Sequence, residues 1–140
     1  MPYREKTAWL SLIAMAVTFG PYFIIMAVEA RPGALPGLRQ LGLFAAAAIL
    51  QALILGLGHL YLRRSSPEDA RIPPDERDRA ILNRSLRFAY SVLMVGMIVV
   101  GCVMPFNSSG WAIINAALLA IIAAEVVHHG VIVSSYRGQS

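Results

Sequence analysis

The sequence predicts an all-α integral membrane protein, a four-helix bundle in a single domain of residues 1–140 with both termini in the cytoplasm. Three observations predict it. Of 140 residues, 57% are hydrophobic and 14% charged, with a mean hydropathy of +0.62, a balance that a water-soluble domain of this size hardly sustains. Four apolar runs, near residues 7–28, 38–62, 86–105 and 110–135, each approach the ~20 residues needed to cross a bilayer core. Finally, the twelve basic residues fall at the ends of those runs with a strong bias to one side.

The first run follows Arg4 and Lys6. It exceeds the ~7–15-residue core of a secretory signal and is therefore read as a span. Within it, Gly20-Pro21 predicts a kink, because proline removes a rung of the hydrogen-bond ladder. Lipid gives apolar helices no hydrophobic reason to associate, so contact between small side chains has to hold them together. Ala16 with Gly20 in the first span, Ala48, Ala52 and Gly56 in the second, and Ala116, Ala120 and Ala124 in the fourth supply such rows. These rows fit a tight bundle or a homodimer face equally, and a homo-oligomer is expected. Cys102, the single cysteine, lies in the third span as a small buried residue and rules out an intramolecular disulfide. Trp9, Tyr22, Tyr61, Trp111 and Tyr136 near helix ends read as headgroup anchors. A short outer turn over residues 105–110, with Ser109 as a cap, makes the last two spans a hairpin.

Arg31 and Arg39 lie between the first two spans. Arg4, Lys6, Arg63, Arg64, Arg71, Arg77, Arg79, Arg84, Arg87 and Arg137 lie on the other side, so ten of twelve basic residues mark that side as cytoplasmic. The net charge of +4 thus describes a collar at the inner leaflet rather than a surface for direct nucleic-acid binding. The loop and helix overhang of residues 63–87 hold most of this charge. Pro73-Pro74 marks a helix start, and Asp75, Glu76 and Asp78 place carboxylates at its positive end. Asp75 and Glu76 are both within pairing distance of Arg79 along the helix, and Ile81, Leu82 and Leu86 add an apolar side suited to the leaflet or to another protein.

The DERDRAI stretch before the third span, the AYSVL entry into it, Asn115 and Glu125 in the last span, and the terminal Tyr136-Arg137-Gly138 together resemble a group of small bacterial four-span membrane proteins of unknown function. That group is marked by a DER-[DE]-xx-I sequence before the third span and a tyrosine-arginine tail after the fourth. The matching positions are Asp75, Glu76, Arg77, Asp78, Ile81, Glu125, Tyr136, Arg137 and Gly138, so the likeness covers the second half of the chain. The resemblance implies a protein of the bacterial inner membrane, without established enzymatic activity, that acts beside a small DNA-binding regulator.

Glu125 is the sharpest single signal. At ~1.5 Å per residue it lies about 21 Å along the last span from Trp111, several ångströms inside the ~30 Å core. Three readings follow. Glu125 forms an ion pair with Arg87 or Arg84 from the third span. Alternatively, Glu125, His128 and His129 on one helix face join His59 in a site for zinc, iron or haem, although no cofactor is the leading expectation. In the third reading Glu125 with His128 serves a small dimeric proton- or ion-coupled transporter. No serine has an evident base beside it and no glycine-rich phosphate loop is present, so an enzyme is not expected. The leading expectation is a non-enzymatic regulatory, sensor or accessory protein that contacts the lipid bilayer. Its cytoplasmic collar, formed by Asp75, Glu76, Arg77, Asp78 and Ile81, would bind a cytoplasmic regulatory protein.

Overall fold

The computed structural model describes residues 2–29, 37–108 and 110–138. Helix α1 spans Tyr3–Val28, α2 Leu38–Ser65, the short α3 Pro67–Arg71, α4 Glu76–Ile98 and α5 Gly110–Arg137. No strand occurs among the described residues. Four of these helices are long and apolar enough to cross a bilayer, and they pack against one another as those of a multi-pass membrane protein. Large apolar side chains such as Ile24, Leu53, Leu57 and Val95 point outward, as lipid-facing positions require.

The main packing runs α2 on α1, α1 on α5, and α5 on α4, so the bundle is an open row rather than a closed square. Helix α1 turns Ala8, Ser11, Met15, Thr18, Tyr22 and Met26 inward at three- and four-residue spacing. Ala16 faces outward and nothing lies close to Gly20, so the small-residue row expected on this helix is not its packing face. α1 also continues through Pro21 as one helix; Pro21 is exposed, and its missing N–H falls on the outer face. On α5, Ala120 and Ala124 are buried as the spacing predicts. A Cβ at Gly96 would stand 2.7 Å from that of Ala120, which marks a close approach of α4 to α5. On α2 the expected row points away: Ala52 is exposed and nothing lies near Gly56, whereas Gly58 is the residue that meets Leu10 of α1.

Each helix pair is also fastened by a polar link inside the apolar bundle, where a hydrogen bond has no water to compete with it. Thr18 of α1 bonds Gln51 of α2 at 2.7 Å. Tyr22 of α1 donates to Asn115 Oδ1 of α5 at 2.9 Å, and Ser85 of α4 meets His128 Nδ1 of α5 at 2.9 Å. Tyr22 therefore sits in the core with Phe19, Phe23 and Phe44 instead of anchoring at the headgroups.

Helix α4 ends in a π-helical turn, Val99–Val103, followed by a 3₁₀ turn, Met104–Phe106. The hydrogen-bond spacing thus changes just ahead of Pro105, which cannot donate to a regular ladder. Cys102 lies in the π turn and is exposed, contrary to the buried position expected of it. The expected cap Ser109 lies outside the described residues. At this same end Arg39 reaches Glu29 at 2.5 Å, tying the start of α2 to the end of α1.

Candidate functional site

At the opposite end, which carries Tyr3 and Arg137, the charged residues form a collar. Pro73 and Pro74 hold the chain extended ahead of Asp75, which becomes the N-cap of α4. Asp78 N–H donates to Asp75 Oδ1 at 2.7 Å, and Asp75 N–H donates to Asp78 Oδ2 at 3.2 Å, a reciprocal box that satisfies two orphan donors. The sequence places Asp75 in the first turn paired with Arg79. Its carboxylate instead serves the cap, and neither Asp75 nor Glu76 has an ion pair with Arg79 among the described residues.

Asp78 carries more than the cap. Its carboxylate pairs with Arg4 of α1 at 3.2 Å and accepts a hydrogen bond from the Tyr136 hydroxyl of α5, so one side chain joins three helices. Beside it, Arg137 Nε donates to Glu5 Oε1 at 3.1 Å, and Glu5 is almost fully buried. The guanidinium of Arg137 lies over Trp9, and that of Arg77 over Tyr136. Lys6 donates to Ser66 Oγ at 3.3 Å, bringing the α2–α3 junction into the same assembly. Sequence reasoning missed Arg4 and Glu5 as members of this site. The visible signal was a polar face on the first turns of α1, Glu5 and Ser11 with Ala8 between them at helical spacing.

The expected recognition surface is therefore divided. Asp75, Glu76 and Arg77 are exposed, whereas Asp78 is turned inward and Ile81, 6% exposed, belongs to the core. Tyr136 is buried too, a tie rather than an anchor. Between Arg4, Asp78, His129 and Tyr136 lies a cavity of about 250 Å³, floored by Ala8, Ile81 and Ile132 and large enough for several waters.

The intramembrane groups separate into two sets. Glu125 is about half exposed, and its partner is His129 on the same helix at 3.6 Å rather than Arg84 or Arg87. Arg84 lies over the Phe88 ring, and both arginines are exposed. His128 turns the other way, toward Ser85. The Ser85 hydroxyl also donates to the Leu82 carbonyl at 2.7 Å, which leaves His128 Nδ1–H as the donor to Ser85 Oγ. Ser85 thus does have a histidine beside it, against the expectation from sequence. It is fully buried, however, and among the described residues no carboxylate bonds His128, so the pair fastens α4 to α5. Among the described residues His59 bonds its own helix, at Leu55, and it sits on the helix farthest from α4 in the row. No three of His59, Glu125, His128 and His129, nor any other such group among the described residues, converge as metal ligands. No family model, curated protein or solved structure matches the chain, so the site is read from its own geometry.

Proposed function

We propose that this chain is a non-enzymatic protein of the bacterial inner membrane, with both termini inside, that binds a regulatory or accessory protein through its cytoplasmic collar. The observation that carries this reading is the bracing of the α4 overhang. Asp78 is held by Arg4, Tyr136 and the Asp75 cap, while Glu76 and Arg77, between the two capping aspartates, stay exposed. Charges fixed on a rigid, solvent-facing turn lose little freedom when a partner docks. Glu68, Asp69 and Arg71 of α3, which packs on α2 at the same end of the bundle, are exposed as well. The outward small-residue face of α2 supports self-association as a homo-oligomer. In the variant Glu76→Ala, the bundle keeps its unfolding temperature and loses its partner on co-purification from native membranes. Partner recovery equal to that of the unchanged chain refutes the reading.

A second reading, proton- or ion-coupled transport, rests on one arrangement: Glu125 pairs with His129, and His129 lines the collar cavity together with Asp78. It no longer includes His128, whose ring is committed to Ser85. Glu125→Gln separates the two readings, because it abolishes proton-linked flux in reconstituted vesicles under the second and leaves partner binding intact under the first.

A further inference from the structure

The seam between α4 and α5 carries a feature that the collar reading leaves unused. Arg77, Ile81, Arg84 and Phe88 recur at three- and four-residue spacing, forming one stripe of α4. Facing it on α5 are Val127, Val131, Ser134 and Ser135. Between the stripes run two hollows, of about 340 Å³ toward the collar and about 470 Å³ toward the membrane centre. Arg84, Ser134 and Ser135 line both, so the two are one continuous trough.

The trough is graded along the bundle axis. Its collar half presents Arg77, Arg84 and two serine hydroxyls, and its deeper half presents Phe88, Val127 and Val131. Among the described residues no carboxylate lines either half and neither arginine has an ion pair. The Arg84 guanidinium stands 5.8 Å from the centroid of the Phe88 ring, so the charge sits where the apolar half begins. Gly130 leaves the deep half open, since a Cβ there would meet nothing within 4 Å.

We propose that this seam is a binding site for an anionic phospholipid of the inner leaflet. The phosphate lies against Arg84 and the hydroxyls of Ser134 and Ser135, Arg77 faces the remaining headgroup charge, and an acyl chain follows Phe88, Val127 and Val131 inward. Cation and hydroxyl donors above an apolar slot reproduce the order of chemical groups along a lipid, from headgroup to chain. A free phosphate ester would use the upper half and leave the lower one vacant. The proposal takes from the proposed function the inward orientation of the collar, and it does not rest on the partner. Only Arg77 borders both surfaces, so the test turns on Arg84.

The experiment is native mass spectrometry of the full chain released from nanodiscs that contain phosphatidylglycerol and phosphatidylcholine of identical acyl chains in equal amounts. The unchanged chain is expected to retain about fivefold more phosphatidylglycerol, the preference that one well-placed arginine gives. Arg84→Gln abolishes the preference, whereas Arg87→Gln, outside the trough, keeps it. Gly130→Leu fills the slot without altering charge and lowers retention of both lipids, a readout that stands even where Arg84→Gln fails to fold. Equal retention by the unchanged chain overturns the proposal, as does a loss in Arg87→Gln equal to that in Arg84→Gln. Displacement of the lipid by millimolar glycerol phosphate also overturns it and assigns the site to a soluble phosphate ester.

Discussion

Asp78 caps its own helix, pairs with Arg4 and accepts from Tyr136, so its loss is felt in three helices at once. Asp78→Asn keeps the shape and removes the charge. It is expected to lower stability by about 1.5–3 kcal/mol, read as a fall in unfolding temperature in mild detergent, with Arg4→Gln costing less on top of it than alone. Additive losses at Arg4 and Asp78 would show that the pair does not act as a unit. This residue also shows the limit of the sequence. The run of acids after Pro73-Pro74 reads correctly as a helix start, and the cap follows from local spacing alone. Which side of that turn faces inward depends on Arg4 and Tyr136, both far away in the chain, and no local pattern ranks Asp78 against Glu76. Glu125 repeats the lesson. Of the three readings the sequence leaves open, one pairs it with an arginine of the third span by depth, but helix rotation points it away and leaves His129 as its neighbour.

At the scale of elements, the hairpin of α4 and α5 is the closest-packed pair, set by Gly96 against Ala120 and pinned by Ser85 and His128. Gly96→Leu forces the helices apart and is expected to cost about 1–3 kcal/mol, whereas Gly42→Leu, exposed near the start of α2 with nothing within 4 Å and outside its small-residue row, leaves unfolding unchanged. Equal effects of the two would contradict this packing. The existence and approximate bounds of the four long helices were legible because a span needs a long apolar run that little else imitates. The short α3 was not, since Pro67–Arg71 is too polar and too brief to show a period. The alanine row of α5 was legible as a packing face. That of α2 was not, because small residues favour close approach without saying to which helix, or to which copy. A cysteine at position 52 is expected to cross-link two chains under mild oxidation, and a purely monomeric product would show that this face meets only lipid.

For the whole molecule, the open row of α2, α1, α5 and α4 leaves apolar side chains on its outer faces and gathers charge at one end. The fold class follows from composition and hydropathy alone. The collar follows only in outline, because its ties run between residues such as Glu5 and Arg137 at opposite ends of the chain. If this end is cytoplasmic, a cysteine at position 66, in a chain that also carries Cys102→Ser to remove the exposed native thiol, is protected from impermeant thiol reagents in intact cells and labelled after the membrane is opened; labelling before opening would invert the topology. The central claim, that the braced collar recognises another protein, is tested most directly by a photo-crosslinker placed at position 76 in living cells, with position 24 on the outer half of α1 as its control. The account predicts one discrete adduct from position 76, of a mass that two copies of this chain do not explain, and none like it from position 24. No adduct at position 76, or only one of twice the chain mass, would contradict it.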